Sequence, residues 1–458
     1  MENFYGIIIG FGKGGKTLAG DLAAQGKRVA IIEKSDQMYG GTCINVGCIP
    51  SKSLVTSAKL AQNMASEKFG EKAELYRSAI EEKRRVTTML RGKNFDKLNN
   101  NQNVMVYTGT ASFLSSNQVS VELENETLIL QGEYIFINTG STIIIPEIEG
   151  IEDNPRVYNS ESLMNLSELP KRLAIIGGGH IGLEFASIYS TFGSEVTVFD
   201  YSTEFMPRED EDISKEILKV FAEKGIKVIL GSKIKTVRNN ANESIVSYFD
   251  SESGEVKEFK SDAVLIATGR KPNIDGLNLP AAGIDVTPRS AVKVDEYLKT
   301  NIPNIWAMGD VVGGYQFTYI SLDDYRIVRS QLLDSKEKRS TKLRKNVPFS
   351  LFIDPAYSRV GLNEKEAKEQ GYDTKIAFMQ TAAIPKAQVI NQTKGVLKAV
   401  IDAKTNKILG AMLFCAESYE VINVIKLAMD AGLPYTFLRD QVYTHPTMTE
   451  SLNDLFSV

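Results

Sequence analysis

The chain has 458 residues, enough for two to four domains, and 43% of them are hydrophobic, which supplies several cores. Its net charge of −4 and pI near 5.6 leave no basic footprint for nucleic acid or an acidic membrane surface. No apolar run approaches the ~18 to 20 residues that span a bilayer. The chain opens Met1-Glu2-Asn3 and runs into a predicted strand over residues 4–10, with no basic leader or cleavage site ahead of it. No signal peptide is therefore expected, and with few cysteines the expected location is a reducing cytoplasm.

The first strand is followed by Gly10-Phe11-Gly12-Lys13-Gly14-Gly15, a Gly-x-Gly-x-x-Gly turn that opens a predicted helix ending at Gly26. A second strand then reaches Glu33. In such a unit the first glycine makes the turn, the second lets backbone approach a pyrophosphate, and the third permits close helix–strand packing. The helix N-terminus offers free N–H groups to phosphate, and the terminal acid accepts hydrogen bonds from a ribose. One such motif is a weak signal. Here it recurs, because Gly177, Gly179, Gly182, Gly193 and Asp200 each lie 167 positions after Gly10, Gly12, Gly15, Gly26 and Glu33.

Between the two units stands Gly40-Gly41-Thr42-Cys43-Ile44-Asn45-Val46-Gly47-Cys48-Ile49-Pro50-Ser51-Lys52, which holds two of the three cysteines in the chain. A thiol pair beside a redox cofactor passes two electrons onward, which is the chemistry of a disulfide reductase. On an ideal helix, positions i and i+5 are about 7.5 Å apart along the axis, beyond ordinary disulfide geometry. Irregular backbone is expected there, aided by Gly40, Gly41, Gly47 and Pro50. A long helical stretch is predicted over 52–98. From Glu33 to Thr139-Gly140 is 106 positions, against 68 from Asp200 to Thr268-Gly269. The extra length carries the cysteines, so the first unit is expected to bind the flavin and the second a nicotinamide.

The chain resembles the class I pyridine nucleotide–disulfide oxidoreductases along its whole length. The resemblance rests on the two glycine turns and the cysteine segment. Three further stretches carry it: Ala267-Thr268-Gly269-Arg270-Lys271-Pro272-Asn273, Ile305-Trp306-Ala307-Met308-Gly309-Asp310, and His445-Pro446-Thr447-Met448-Thr449-Glu450. Within the family it is most similar to the bacterial reactive-chlorine-resistance flavoproteins, which include hypothiocyanous acid reductases. That likeness is carried by Gly15-Lys16-Thr17, Met38-Tyr39-Gly40-Gly41, Arg91-Gly92-Lys93-Asn94-Phe95 and the aromatic stretch Gln316-Phe317-Thr318-Tyr319-Ile320-Ser321-Leu322-Asp323-Asp324-Tyr325.

The resemblance implies an α/β fold, with two Rossmann-like dinucleotide-binding domains for FAD and NAD(P) and a C-terminal α+β dimerisation domain. The expected boundaries are 1–149 with 270–337 for FAD, 150–269 for NAD(P), and 347–458 for the interface, after a charged linker over 334–346. Interface strands are predicted over 347–353 and 395–401, and a helix over 419–431. By the same resemblance, Cys48 faces the flavin and Cys43 the substrate, Lys52 and Glu184 pair near the reactive flavin nitrogen, and Asp310 bonds the ribityl chain. FAD is expected at Gly10, Gly12, Gly15, Glu33, Thr42, Lys52, Ala111, Thr139, Gly140, Gly309, Asp310 and Phe317; the coenzyme at Gly177, Gly179, Gly182, Asp200 and Gly269. His445, oriented by Glu450, is expected to reach the substrate-facing thiol from the other subunit, so a homodimer is implied. His180 sits where some relatives place a lid over the nicotinamide.

A carboxylate at Asp200 favours a ribose 2′-hydroxyl over a 2′-phosphate and so NADH, while nearby Arg208 leaves NADPH open. No metal site is expected, and Cys415 reads as a small buried residue. Mercuric reductases typically carry a C-terminal cysteine pair; this chain ends Asp454-Leu455-Phe456-Ser457-Val458. The expected activity is FAD-dependent, NAD(P)H-driven reduction of a small oxidant such as hypothiocyanous acid. The alternatives are a dihydrolipoyl dehydrogenase and, from another class, a flavin-binding redox sensor.

Overall fold

The computed structural model describes residues 2–64, 68–333 and 337–458. The first sheet runs in the order Val104–Thr108, Val29–Glu33, Glu2–Ile9, Thr127–Ile137, Gln118–Glu122, Thr110–Phe113, and Ile305–Ala307 adds to Thr127–Ile137 in parallel. Its central strands are parallel, which requires crossovers, and the helix Lys13–Ala24 supplies the first. The segment Val-Ala-Ile-Ile of Val29–Glu33 is buried throughout, as a strand covered on both faces demands.

A second parallel sheet runs Lys227–Ile229, Glu195–Phe199, Arg172–Ile176, Ala263–Ile266, Val157–Asn159. The sequence repeat is also a structural one. The Gly10 amide donates to the Ile32 carbonyl at 2.8 Å, and 167 positions later the Gly177 amide donates to Phe199 at 2.9 Å. An antiparallel three-stranded sheet, Ser232–Asn240, Glu243–Asp250 and Glu255–Ser261, lies alongside.

The C-terminal unit is an antiparallel sheet of five strands, Phe349–Leu351, Tyr357–Gly361, Ile408–Phe414, Val396–Asp402 and Thr374–Gln380, with the helix Ser418–Asp430 packed on it. Of these, Phe349–Leu351, Val396–Asp402 and the helix Ser418–Asp430 were expected and lie within two residues of the expected positions; the other three strands were not foreseen. The stretch predicted as one helix is two, Cys48–Met64 and Phe69–Asn99, and Lys68 between them is extended, with φ −78° and ψ 122°. Residues 334–336 of the expected linker lie outside the described residues.

One large core gathers Leu54, Tyr76, Leu173, Phe185 and Tyr357, and so joins the cysteine-bearing helices to the second sheet and to the C-terminal unit. Each such side chain contributes about 1.5–3 kcal/mol when buried, enough to hold the units as one body. Among the described residues, no helix is long and apolar enough to cross a membrane.

Candidate active site

The first glycine turn is shaped by contacts that leave no space for side chains. Gly10 has φ +103°, and a Cβ on it would meet the Asn138 carbonyl oxygen at 2.3 Å; on Gly12 it would meet Asn138 Oδ1 at 2.6 Å. Asn138 ties this turn to the far end of the unit. Its Oδ1 accepts from the Gly15 amide at 2.9 Å and its Nδ2 donates to the Met308 carbonyl at 2.6 Å. Ser321 Oγ accepts from the Gly14 amide at 3.0 Å. Glu33 accepts from the amides of Phe11, at 3.0 Å, and Lys34, at 2.9 Å. Burial pushes its carboxyl up, and those amide donors oppose the shift.

Gly309 and Asp310 are pinned from behind. Fully buried Asp324 accepts the Gly309 amide at 2.8 Å and pairs with Arg344, which also holds Asp323 at 2.8 Å. Asp310 accepts from Ser141 Oγ at 2.8 Å; burial raises its carboxyl, and Ser141 and Arg270 counter this.

The cysteine segment is seated directly on the first turn. Gly41 has φ +78°, and a Cβ there would lie 2.7 Å from Gly12 Cα. Asn45 Nδ2 donates to the carbonyls of Tyr39 and Gly41 at 2.9 and 3.0 Å, and Arg91 Nε holds Asn45 Oδ1 at 2.8 Å. Lys16 Nζ donates to Asn94 Oδ1 at 2.5 Å, and the rings of Tyr39 and Phe95 stack at 4.6 Å. Burial, then the charge of Lys13, lowers the Lys16 ammonium to about 8.

The expected irregular backbone is present. Cys43 lies in the single turn Thr42–Asn45, Val46 breaks it at φ −140°, and Cys48 begins the helix Cys48–Met64. Cys48 is open to the cavity and Cys43 is half-buried. Cys43 hydrogen-bonds to Cys48, and Thr318 Oγ1 lies 3.6 Å from Cys48 Sγ. The Cys43 thiol as donor, then Thr318 and the Lys52 charge, lower the Cys48 thiol against the opposing effect of burial; Cys43 is raised by the same contact. Lys52 Nζ meets both oxygens of Glu184 at 2.8 and 3.1 Å, and Glu184 also accepts from the Phe352 amide at 2.9 Å.

The second turn repeats the first. A Cβ on Gly177, at φ +111°, would meet the Ala267 carbonyl at 2.5 Å, and one on Gly178 would lie 2.3 Å from Asp200 Oδ2. Gly182 sits 2.0 Å, measured from such a Cβ, from the Gly177 oxygen, whereas Gly179 opens into free space. His180 stacks on Phe349 at 5.2 Å.

A single cavity of about 2150 Å³ connects these parts, roughly twice the upper end of ordinary ligand pockets. Gly10, Gly12, Glu33, Thr42, Cys43, Cys48, Lys52, Ala111, Thr139, Gly140, Asp310 and Phe317 line it, as do Gly179, His180, Glu184, Arg208 and Gly269. Gly15, Gly177, Gly182, Asp200 and Gly309 do not; they shape the turns from behind. The continuous cleft, glycine turns with no space for a Cβ at Gly10, Gly12, Gly15, Gly177 and Gly182, and a carboxylate at the end of each second strand fit two dinucleotides meeting near Cys48 and Lys52.

His445 stands apart. Its Nδ1 lies 2.7 Å from Glu450 Oε2, and its side chain is 69% exposed. It does not line the cavity that holds the cysteines. Cys415 is fully buried in the core of the C-terminal unit, its thiol pushed up to about 12 by burial. No cluster of possible metal ligands occurs among the described residues.

Sequence reasoning missed Asn138, Ser321, Asp324 and Thr318. The last three lie in the aromatic stretch 316–325, noted for its composition and not for these contacts.

Two nucleotide units, a thiol pair between them and an appended antiparallel unit define a flavoprotein disulfide reductase, and the chain belongs to the pyridine nucleotide-disulphide oxidoreductase family. The family model matches residues 6–324, and the model of the family's dimerisation domain matches 347–456. Such enzymes work with FAD and a nicotinamide dinucleotide. Among individual proteins, the chain is 48% identical over 458 residues to the probable pyridine nucleotide-disulfide oxidoreductase RclA of Escherichia coli K12, covering 100% of each. It is 32% identical to a dihydrolipoyl dehydrogenase of Mycobacterium leprae, covering 100% of this chain and 98% of that one. A solved structure of the E. coli HOCl-induced flavoprotein disulfide reductase RclA, in complex with Cu(II), superposes with a TM-score of 0.94 at 48% identity, covering 100% and 99% of the two chains.

Proposed function

We propose that this enzyme uses NADH to reduce a small hypohalous or pseudohypohalous oxidant, hypothiocyanous acid in the first place, as a cytoplasmic defence against reactive chlorine species. The carrying observation is the pair Cys43–Cys48 sharing its cavity with a ladder of stacked rings. Tyr315 and Phe317 lie 6.3 Å apart, Phe317 and Tyr319 5.0 Å, and all three line the cavity. Bulky rings at that place favour a compact oxidant over a long dithiol such as dihydrolipoamide. The likeness to an HOCl-induced reductase supports the same reading.

FAD, when bound, accepts a hydride from the nicotinamide and passes two electrons to the disulfide. The flavin unit comprises 1–149 and 270–337, with Gly10, Gly12, Gly15, Thr42, Ala111, Thr139, Gly140, Gly309 and Phe317 forming its cradle. Glu33 receives the adenosine ribose and Asp310 the ribityl hydroxyls. The nicotinamide unit comprises 150–269, where Gly177, Gly179, Gly182 and Gly269 shape the pocket and Asp200 takes the 2′-hydroxyl of NADH. Lys52, held by Glu184, places positive charge beside the cofactor's reactive edge. Residues 347–458 build a two-fold dimer, which brings His445 and Glu450 of one subunit to Cys43 of the other.

In the oxidant half-reaction Cys43 attacks the electrophilic sulfur of HOSCN. An S–S bond forms, the S–O bond breaks, and the thiol proton leaves with the hydroxyl as water. The Cys48 thiolate then attacks Cys43 Sγ and expels thiocyanate with its electron pair, leaving the Cys43–Cys48 disulfide. Steady-state rates with hypothiocyanite, dihydrolipoamide and glutathione disulfide, under NADH and NADPH, test the reading. Fast dihydrolipoamide oxidation without hypothiocyanite turnover would make it a dihydrolipoyl dehydrogenase, and no multiple turnover with any acceptor would make it a sensor.

A further inference from the structure

Thr318 has no part in the mechanism above, yet its hydroxyl touches a redox sulfur. Its Oγ1 is 3.6 Å from Cys48 Sγ. The mount is rigid. Thr318 opens the helix Thr318–Leu332, its neighbours Phe317 and Tyr319 stack at 5.0 Å, and Tyr319 Oη donates to the Pro348 carbonyl at 2.5 Å. A β-branched side chain has little χ1 freedom on such a backbone.

The ionisable groups facing the sulfurs come from four elements. Lys52 shares the helix of Cys48, Glu184 faces it from the helix His180–Phe192, Tyr319 follows Thr318, and Lys16 acts on Cys43. The Lys52 charge favours the Cys48 thiolate, and Glu184, 2.8 Å from Lys52, opposes it. Beside that ion pair stand two hydrogen-bond donors to Cys48, the Cys43 thiol and the Thr318 hydroxyl.

Only one of these donors survives the reaction. When Cys43 Sγ bonds to the oxidant's electrophilic atom X, Cys43–SH and X–OH give Cys43–S–X and water, and the thiol proton is gone. Cys48 must then attack Cys43 Sγ as a thiolate, forming the disulfide and releasing X⁻ with the bonding pair. A hydroxyl has one proton to give, and the charged sulfur is its stronger acceptor.

We infer that Thr318 is a positioning residue of this disulfide exchange: its hydroxyl donates to Cys48 Sγ and keeps that sulfur charged and aimed at Cys43 while Cys43 is bonded to the oxidant. The inference rests on the reading of Cys43 and Cys48 as the redox pair.

The state without the Cys43 donor is reproduced by Cys43→Ala in the full-length holoenzyme. In that background the pH midpoint of Cys48 alkylation by iodoacetamide, followed by peptide mass spectrometry, is compared with and without Thr318→Val. The loss of a hydrogen bond to a charged group should raise the midpoint by about one pH unit, and Thr318→Ser should restore it. With Cys43 intact the shift should be smaller, because the thiol donor compensates. Should Thr318→Val fail to fold, Thr318→Ala is read on the same scale. An unmoved midpoint, or a shift that serine does not rescue, overturns the inference while leaving the redox pair in place. Full turnover by Cys48→Ser overturns the redox pair itself, and the inference with it.

Discussion

Lys398 offers the sharpest stability test. It lies on the strand Val396–Asp402 of the C-terminal unit, 3% exposed, and reaches Asp210, Asp212 and Glu364 at 3.0, 2.8 and 2.9 Å. Asp210 and Asp212 stand at the start of the helix Glu211–Glu223, which packs on the second sheet, so the ammonium ties two units together. Burial opposes its charge, but the bonds to Asp212, Glu364 and Asp210 prevail and raise its pKa. A lysine raised in the folded state contributes fully below its unfolded pKa, hence throughout the neutral range, and the contribution is lost only as alkali titrates the folded group.

Lys398→Met removes the cation and leaves Asp210, 7% exposed, without its partner. Breaking a buried pair costs about 3–5 kcal/mol. Asp212 and Glu364 keep 44% and 28% exposure, and Asp210 retains the Glu364 amide at 3.1 Å. The low end, about 3 kcal/mol, is therefore expected. Urea unfolding followed by circular dichroism measures it, and Lys398→Met with Asp210→Asn should recover at least half, since the buried charge is gone. A single substitution costing under about 1 kcal/mol, or a double variant worse than the single, would refute the reasoning.

Cys43→Ser should show a long-wavelength thiolate-to-flavin absorbance band without added reductant, and Cys48→Ser should lack it; the reverse pattern in a spectrophotometer would exchange the roles of the two thiols. In the two-electron-reduced native enzyme the band should survive acidification below the ordinary thiol range, because the Cys43 thiol, then Thr318 and the Lys52 charge, lower the Cys48 pKa. Asp200→Ala should lower the NADH over NADPH ratio of kcat/KM by about tenfold or more by removing the carboxylate that repels a 2′-phosphate, and an unchanged ratio would move coenzyme choice elsewhere, with Arg208 next to be tested. Mixing unfolded Cys48→Ser and His445→Ala chains and refolding them should restore roughly a quarter of native activity, since half the dimers are hybrids with one intact site. No recovery would mean that each subunit completes its own site.

Much of the molecule was legible in the sequence because backbone sterics act over contiguous residues. The glycines at 10, 12 and 15, and again at 177, 179 and 182, announce a turn in which a Cβ would clash at every one of these positions but Gly179, and the acid closing each second strand confirms the unit. Two cysteines in a glycine-rich segment are legible for the same reason. What stayed hidden is long-range. Asn138 precedes the recognised Thr139-Gly140, but nothing beside it tells that its amide reaches Gly15. The reach of Thr318 to Cys48 crosses 270 positions, and the ladder Lys398–Asp210 crosses two units. The helical stretch 52–98 looked continuous because most of it is rich in Ala, Leu, Glu, Lys and Arg, and Gly70 near Lys68 was the one local sign of the break. That His445 does not line the cavity of the cysteines is a long-range fact too, which no residue beside it announces.

The contact of Gly41 with Gly12 has an evolutionary consequence. Two glycines twenty-nine positions apart meet through bare backbone, and Gly12 occupies the volume that a methyl on Gly41 would need. Gly41 cannot drift to alanine, since the displaced segment would carry Cys43 off its seat, and Gly12 is held by the Asn138 amide that a methyl on it would strike. Descendants of this chain are thus free to vary the residues between the nucleotide turn and the thiols in composition, but not in the register that brings these two glycines together. The nucleotide motif and the redox motif are inherited as one unit.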